Sequence, residues 1–391
     1  MKAIKFFAFF ILLLCLKTIA LAEEPQIVGR AAAVINVYSG KFVYFKNADQ
    51  KMYPASTTKI MTTLIALEKG NLSDRVYIDK EACYVEGSAI WLNPGEQLSL
   101  EDLLYSIMLN SANDSAIAVA KYIGGDVATF VQEMNDKARK LGAKNTHFVN
   151  PNGLPNDDHY TTAYDLALIA REAMLNPKFR EIVATKTKVI DRDPKYLRLL
   201  INHNKLLWRY EGANGIKTGY TIKARQCLVA SAERNGDEFI AVILGSEGRN
   251  VYDDAKKLLD YAFNNFKTVK LISKGQEFGK VEVAGGKEPV KLIAAEDLYD
   301  TVKRGQEPQF DYQKEVVKLQ APVKAGQKVG KIVVKEKEKV VGEVNLVAFN
   351  SVEPTLTYSK RKLIYPGILF LAGLLLTFQF IKRYGRIKPK Y

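Results

Sequence analysis

Three short groups of residues in this chain have types and spacings that could do chemistry together: Ser56-x-x-Lys59, Ser111-x-Asn113 and Lys217-Thr218-Gly219. A serine hydroxyl is a poor nucleophile until a base takes its proton. A lysine is such a base when burial or a nearby charge lowers its pKa. Three residues apart on a helix, Ser56 and Lys59 share one face, a single turn from each other. At a helix start Ser56 also has unpaired backbone N–H groups and the positive dipole end beside it, which suit a developing oxyanion. Alone, a serine at a helix start is most often a cap. Three such groups in this order outweigh that reading.

Several elements must position these residues. Pro54 and Ala55 lead into a run whose apolar positions Ile60, Leu64 and Leu67 predict a helix that stops at Gly70. Ahead of it, Ala33–Val37 and Lys41–Phe45 flank Ser39-Gly40 and read as a hairpin. Ser99-Leu100-Glu101-Asp102 is a capping signature for a helix to about Leu109. Asn110-Ser111-Ala112-Asn113-Asp114 then turns into a second helix to about Ile123. Asp126 to Leu141 is a third, stopped by Gly142, and residues 163–175 a fourth, ended by Asn176-Pro177. Lys217-Thr218-Gly219-Tyr220 falls on a strand ahead of a hairpin of Cys227–Ala232 and Phe239–Leu244, turned by Asn235-Gly236. Asp253 to Phe266 is helical. The order predicts a mixed α/β (α+β) domain, an antiparallel sheet flanked by helices. From 268 to 356, short Val/Lys/Glu alternations between glycine turns predict a small all-β domain.

The whole chain narrows the class. Its 391 residues carry a net charge of +14, of which three lysines in the first 22 residues and five basic residues in the last ten account for eight, leaving +6. That remainder forms no basic cluster alternating with aromatics, so nucleic acid is not the expected partner; a mildly basic body suits an anionic surface better. Residues 1–22 read as a secretory signal peptide, with Lys2 and Lys5, an apolar core from Phe6 to Leu16, and Ala20-Leu21-Ala22 as the cleavage site. Leu363 to Ile381 is 19 residues without a charge, about 28 Å as a helix and close to a bilayer's hydrocarbon thickness. It predicts a transmembrane anchor, with residues 382–391 as a basic cytoplasmic tail and the folded body of 23–267 and 268–356 outside the cell membrane. Cys83 and Cys227 read as packed apolar residues, a disulfide being the lesser alternative. His147, His159 and His203 have no ligand spacing, so neither a metal nor a cofactor is expected.

The same three motifs mark the penicillin-binding proteins and class A β-lactamases. Over residues 28–266 the chain resembles the D-alanyl-D-alanine carboxypeptidases, low-molecular-mass penicillin-binding proteins of the S11 serine peptidase family. The stretches that carry the likeness are Pro54–Lys59, Asn110–Asp114, Asn150-Pro151-Asn152-Gly153-Leu154 and Lys217–Thr221. The resemblance implies a β-lactamase/transpeptidase-like fold acting on peptidoglycan stem peptides and acylated by β-lactam antibiotics. It implies Ser56 as nucleophile, Lys59 as its base and Ser111 as proton donor to the leaving amine. Asn113 would hold the substrate amide, and Lys217 and Thr218 the terminal carboxylate. Gly219 would let the strand edge approach the peptide, and the N–H groups of Ser56 and Tyr220 would form the oxyanion hole. Lys217 would also set a second cation near Lys59 and help to hold it neutral. Lys223-Ala224-Arg225-Gln226 departs from the small glycine-containing turn usual before Cys227.

Three rivals are weighed against this. An endopeptidase of wall cross-links is the nearest. Glu172-Ala173-Met174-Leu175-Asn176 has the letters of the β-lactamase deacylation element, but lies 61 residues after Ser111 and reads as a helix end. An inactive wall-binding protein would not need the nucleophile.

Overall fold

The computed structural model describes residues 24–358 and 373–382. They divide into two units: one runs to Thr268 and takes back Thr301–Gly305, and the other holds Val269–Asp300 and the residues from Gln306 onward.

The first unit is built on a five-stranded antiparallel sheet. Its strands are β1 (Ala31–Asn36), β2 (Phe42–Lys46), β3 (Ala213–Thr221), β4 (Arg225–Arg234) and β5 (Asp237–Ser246), in the order β2-β1-β5-β4-β3. Every residue of β1 and β5 is buried. Side chains alternate between faces, so Ala33, Ile35, Ile240 and Val242 enter one core while Ala32, Val34, Phe239 and Ala241 enter another. Sheets covered on both sides give such unbroken apolar runs. Each fully buried Val, Leu, Ile or Phe contributes roughly 1.5–3 kcal/mol.

Helices supply the covers. On one face lies the last, α7 (Asn250–Asn265), whose Val251, Ala255, Leu258 and Ala262 repeat at helical spacing. On the other lie α1 (Lys59–Lys69), α2 (Leu100–Leu109), α3 (Asn113–Gly124), α4 (Val127–Lys140), α5 (Ala163–Met174) and α6 (Pro177–Ala184). Their starts are capped as their sequences suggest: the side chains of Ser99, Asp126 and Thr162 accept backbone N–H groups of Asp102, Thr129 and Asp165.

Two local expectations need correction. The helix expected from Pro54 begins at Lys59, because Ala55–Thr58 forms a tighter 3₁₀ turn ahead of it. Asn176-Pro177 ends one helix and also begins α6: Asn176 accepts the N–H groups of Lys178 and Phe179, and proline suits the first helical position. Cys83 and Cys227 are both buried and free.

Up to Ala348 the second unit is all-β. Strands β6 (Glu277–Val281), β7 (Val290–Ala294), β8 (Phe310–Val316), β9 (Lys328–Glu336) and β10 (Lys339–Ala348) make a sheet ordered β6-β7-β10-β9-β8. Val290, Leu292, Ile332, Val334, Val344 and Leu346 lie in its core. The expected leader (1–22), most of the expected span (363–381) and nearly all of the tail lie outside the described residues. Residues 373–382 are helical. Among the described residues no helix is long and apolar enough to cross a membrane.

Candidate active site

The nucleophile candidate sits on a constrained turn. Ala55, just before Ser56, has φ +47°, a left-handed conformation that costs a non-glycine residue energy and must be held by its surroundings. Gly153 presses against this turn, and a Cβ added there would lie 1.9 Å from the Ala55 carbonyl oxygen. One turn on, Lys59 points inward from the first position of α1 and is fully buried.

The surroundings of Lys59 disfavour its charged form. Its Nζ lies 2.7 Å from Asn113 Oδ1, 2.6 Å from the Asn152 carbonyl oxygen and 3.1 Å from Ser56 Oγ. The first two neighbours can only accept. A charged ammonium would donate to all three; in the neutral amine the first two take both N–H bonds and leave the lone pair toward Ser56, the one neighbour with a proton to give. Burial, and then the charge of Lys217, hold its pKa well below the ordinary lysine value, against a smaller opposing pull from Asp114. Lys217 is itself buried, and that alone lowers its pKa to about 7.

Asn113 links the base to the cleft wall. Its Nδ2 donates to the Glu86 carbonyl at 2.6 Å, and its backbone N–H to that of Ser88 at 2.7 Å. The neighbouring Asp114 carboxylate accepts the N–H groups of Ile90, Leu92 and Ser115, which fixes the same loop against α3. Ser111 lies nearly buried in the turn between α2 and α3, with φ +63°. No hydrogen bond joins it to Ser56 or Lys59 among the described residues.

The third motif is on β3, the edge strand of the sheet, paired with β4 on one side. Gly219 brings this edge against the nucleophile turn: a Cβ added to it would lie 3.0 Å from Ser56 N and 3.2 Å from the Pro54 carbonyl. Beyond it opens a cleft of about 460 Å³. Ser56, Asn113 and Tyr220 line it, with Glu86–Ser88 on the loop side and Thr221–Lys223 on the strand side. Lys217 and Gly219 are buried and Thr218 half-buried; none of the three lines the cleft wall.

The chain is similar to known proteins. Residues 18–248 match the family model for D-alanyl-D-alanine carboxypeptidase (peptidase S11), and residues 266–354 match that for the C-terminal domain of penicillin-binding protein 5. The chain belongs to the S11 D-alanyl-D-alanine carboxypeptidase family. It is 35% identical over 359 residues to the D-alanyl-D-alanine carboxypeptidase DacF of Bacillus subtilis, covering 88% of this chain and 90% of the relative. The crystal structure of penicillin-binding protein 5 from Haemophilus influenzae superposes with a TM-score of 0.70 at 32% identity, over 85% of this chain and 99% of that one. The Streptomyces K15 DD-transpeptidase is 34% identical, with a TM-score of 0.59, over 62% of this chain and 99% of its own. The chain is a serine-type peptidase of the penicillin-binding fold, with an all-β domain after the catalytic one.

Within this S11 enzyme some contributors had no sequence reading of their own. Asn152 supplies a carbonyl to Lys59, and Gly153 packs on the nucleophile turn. Asn150–Leu154 had been recognised only as a stretch shared with the family. Glu86–Ser88 had no signal, because its contribution is two backbone carbonyls. Glu172 does not line the cleft and accepts Lys137 Nζ at 3.2 Å, as a helix end would. In the departing turn, Arg225 takes the left-handed conformation (φ +59°) that glycine usually serves, and pairs with Glu247. Among the described residues there is no group of three or more His, Cys, Asp or Glu side chains that could hold a metal ion.

Proposed function

We propose that this carboxypeptidase removes the terminal D-alanine of peptidoglycan stem peptides through an acyl-enzyme on Ser56. The observation that carries the residue roles is the position of Lys59, fully buried with its Nζ 3.1 Å from Ser56 Oγ. Ser56 Oγ attacks the carbonyl that joins the last two residues and its proton passes to Lys59 Nζ. The oxyanion is held by the N–H groups of Ser56 and Tyr220. The intermediate collapses as the C–N bond breaks, the departing amine of D-alanine taking a proton by way of Ser111. Water then attacks the ester, freeing Ser56. Asn113 orients the substrate amide, while Lys217 and Thr218 receive the terminal carboxylate, and the peptide lies along the edge of β3. A β-lactam enters by the same acylation and leaves slowly.

The reading extends to place. A leader at 1–22 would export the enzyme. A span at 363–381 would tether it to the cell membrane with the catalytic unit outside, near its wall substrate. The exposed Leu374, Leu375, Leu376, Phe378 and Phe380 on the helical residues 373–382 support that anchor.

The test is D-alanine release measured beside cross-linked dimer formation and cleavage, on muropeptides in one tube. D-alanine release should be fastest. The similarity to a DD-transpeptidase makes dimer formation the specific second reading. Dimers made or cut faster than D-alanine is released would replace the carboxypeptidase assignment with transpeptidase or endopeptidase.

A further inference from the structure

A directed chain of hydrogen bonds, its last two links buried, ends on the nucleophile turn. The backbone N–H of Val149 donates to His159 Nδ1 at 3.2 Å. With Nδ1 accepting, the ring proton of the neutral imidazole is on Nε2, 2.9 Å from Thr58 Oγ1. Thr58 must then accept from His159 and turn its own proton to its other neighbour, the Ala55 carbonyl oxygen, at 2.9 Å. Every proton along this line has one direction. His159 is buried, edge-on to Phe148, and burial, with His147 and Lys59 adding to it, lowers its pKa to about 4, so the ring stays neutral near pH 7.

The end of the chain matters because a peptide unit is planar. The Ala55 carbonyl and the Ser56 N–H are opposite ends of one rigid plane. A hydrogen bond that fixes the carbonyl direction therefore fixes where the N–H points. It also polarises the amide and makes that N–H a stronger donor. Ala55 needs such restraint, since its φ of +47° is not one an alanine keeps unaided. Gly153 restrains the same carbonyl by contact, and Gly219 backs the nitrogen.

We propose that His159 is a positioning residue that acts through Thr58 on the Ala55–Ser56 peptide and aims the Ser56 N–H of the oxyanion hole. The proposal rests on Ser56 being the acylated serine, as argued above. It gives work to a histidine that, among the described residues, neither hydrogen-bonds Lys59 nor lines the cleft.

The test is acylation of the full-length protein by a fluorescent penicillin, split into the non-covalent binding constant and the acylation rate constant, with active sites titrated. His159→Phe keeps the ring and loses both hydrogen bonds; Thr58→Val keeps the shape and loses the hydroxyl. Each should lower the acylation rate constant by roughly 10–100-fold, somewhat less than outright removal of an oxyanion donor, with binding changed less than threefold. Thr58→Ser should stay within threefold of the parent. The double variant should be no slower than the slower single one, because both break one chain. Wild-type rates in folded His159→Phe, or additive losses in the double variant, overturn the proposal. If the substitutions prevent folding, ¹⁵N spectra of the imidazole in the unmodified protein decide. They should give the Nε2–H tautomer and no titration between pH 5 and 8. An Nδ1–H tautomer, or titration near the ordinary histidine value, overturns it. Wild-type protein that penicillin does not label would instead remove the underlying assignment of Ser56.

Discussion

At the scale of residues the site is governed by two buried lysines that must hold opposite charge states. In the proposed reaction Lys59 has to be neutral to take the Ser56 proton, and Lys217 has to be charged to hold a carboxylate. Burial depresses both, and the charge of Lys217 depresses Lys59 further. The signs set a pH profile. Activity rises as pH climbs through the lowered pKa of Lys59, because the base loses its proton. It falls as pH climbs through about 7, where Lys217 in the free enzyme loses its charge. Since kcat/KM reports ionisations of the free enzyme, kcat/KM for a peptide ending in a free carboxylate should peak near or below neutrality and then fall, approaching about tenfold per pH unit. The same peptide capped as an amide should lack the descending limb. Parallel profiles for the two peptides would assign the limb to another group and take the carboxylate from Lys217. Lys59→Ala should leave a folded protein that penicillin does not label, because among the described residues no other base hydrogen-bonds Ser56. Near-normal labelling would move the base elsewhere, with Ser111 the first candidate.

At the scale of elements, what was legible in the sequence is what local spacing encodes. The cap at Ser99, the Asn235-Gly236 hairpin and the apolar runs of β1 and β5 needed only neighbours in sequence. Spacing alone paired Ser56 with Lys59, and Asn113 joined them only through the family resemblance that the motifs carry. The rest depends on contacts between distant residues. That Asn152 lends a carbonyl to Lys59, that Glu86 lends one to Asn113, and that His159 reaches Thr58 follow from backbone paths that no local pattern records. The 3₁₀ turn at Ala55–Thr58 was missed for the same reason, since Gly153 and Gly219 impose it from outside. That contact is testable. Gly153→Ala would strain a φ of +87° and also drive its Cβ into the Ala55 carbonyl, whereas Gly142→Ala has a similar φ of +80° and open space around it. Gly142→Ala should cost only conformational strain, about 1 kcal/mol, and leave penicillin acylation unchanged. Gly153→Ala should lose at least tenfold in acylation rate as the turn shifts. Equal rates for the two variants, with equal denaturation midpoints, would mean that the turn holds its shape without Gly153.

At the scale of the whole molecule the charge is divided by place. Of the +14, eight charges belong to the two ends and +6 to the 359 residues between. The folded body is thus only mildly basic, and the strongest positive density flanks the apolar stretch near the C-terminus. Ser56, Lys59, Ser111, Asn113 and Lys217–Tyr220 all belong to the first unit, as does each group that hydrogen-bonds Lys59. Neither the all-β unit nor the residues after it contribute to the chemistry proposed. A chain truncated before Leu363 should therefore be released from membranes and keep D-alanine release within about twofold of the full-length enzyme on a soluble peptide. On intact wall sacculi it should lose more, because a tether fixes the enzyme close to its polymer and raises its effective concentration there. The comparison needs both forms assayed on both substrates, with membranes separated by sedimentation. Full-length protein that stays in the supernatant would remove the anchor. A truncated protein that folds but releases no D-alanine from the soluble peptide would give the C-terminal segment a part in the reaction itself.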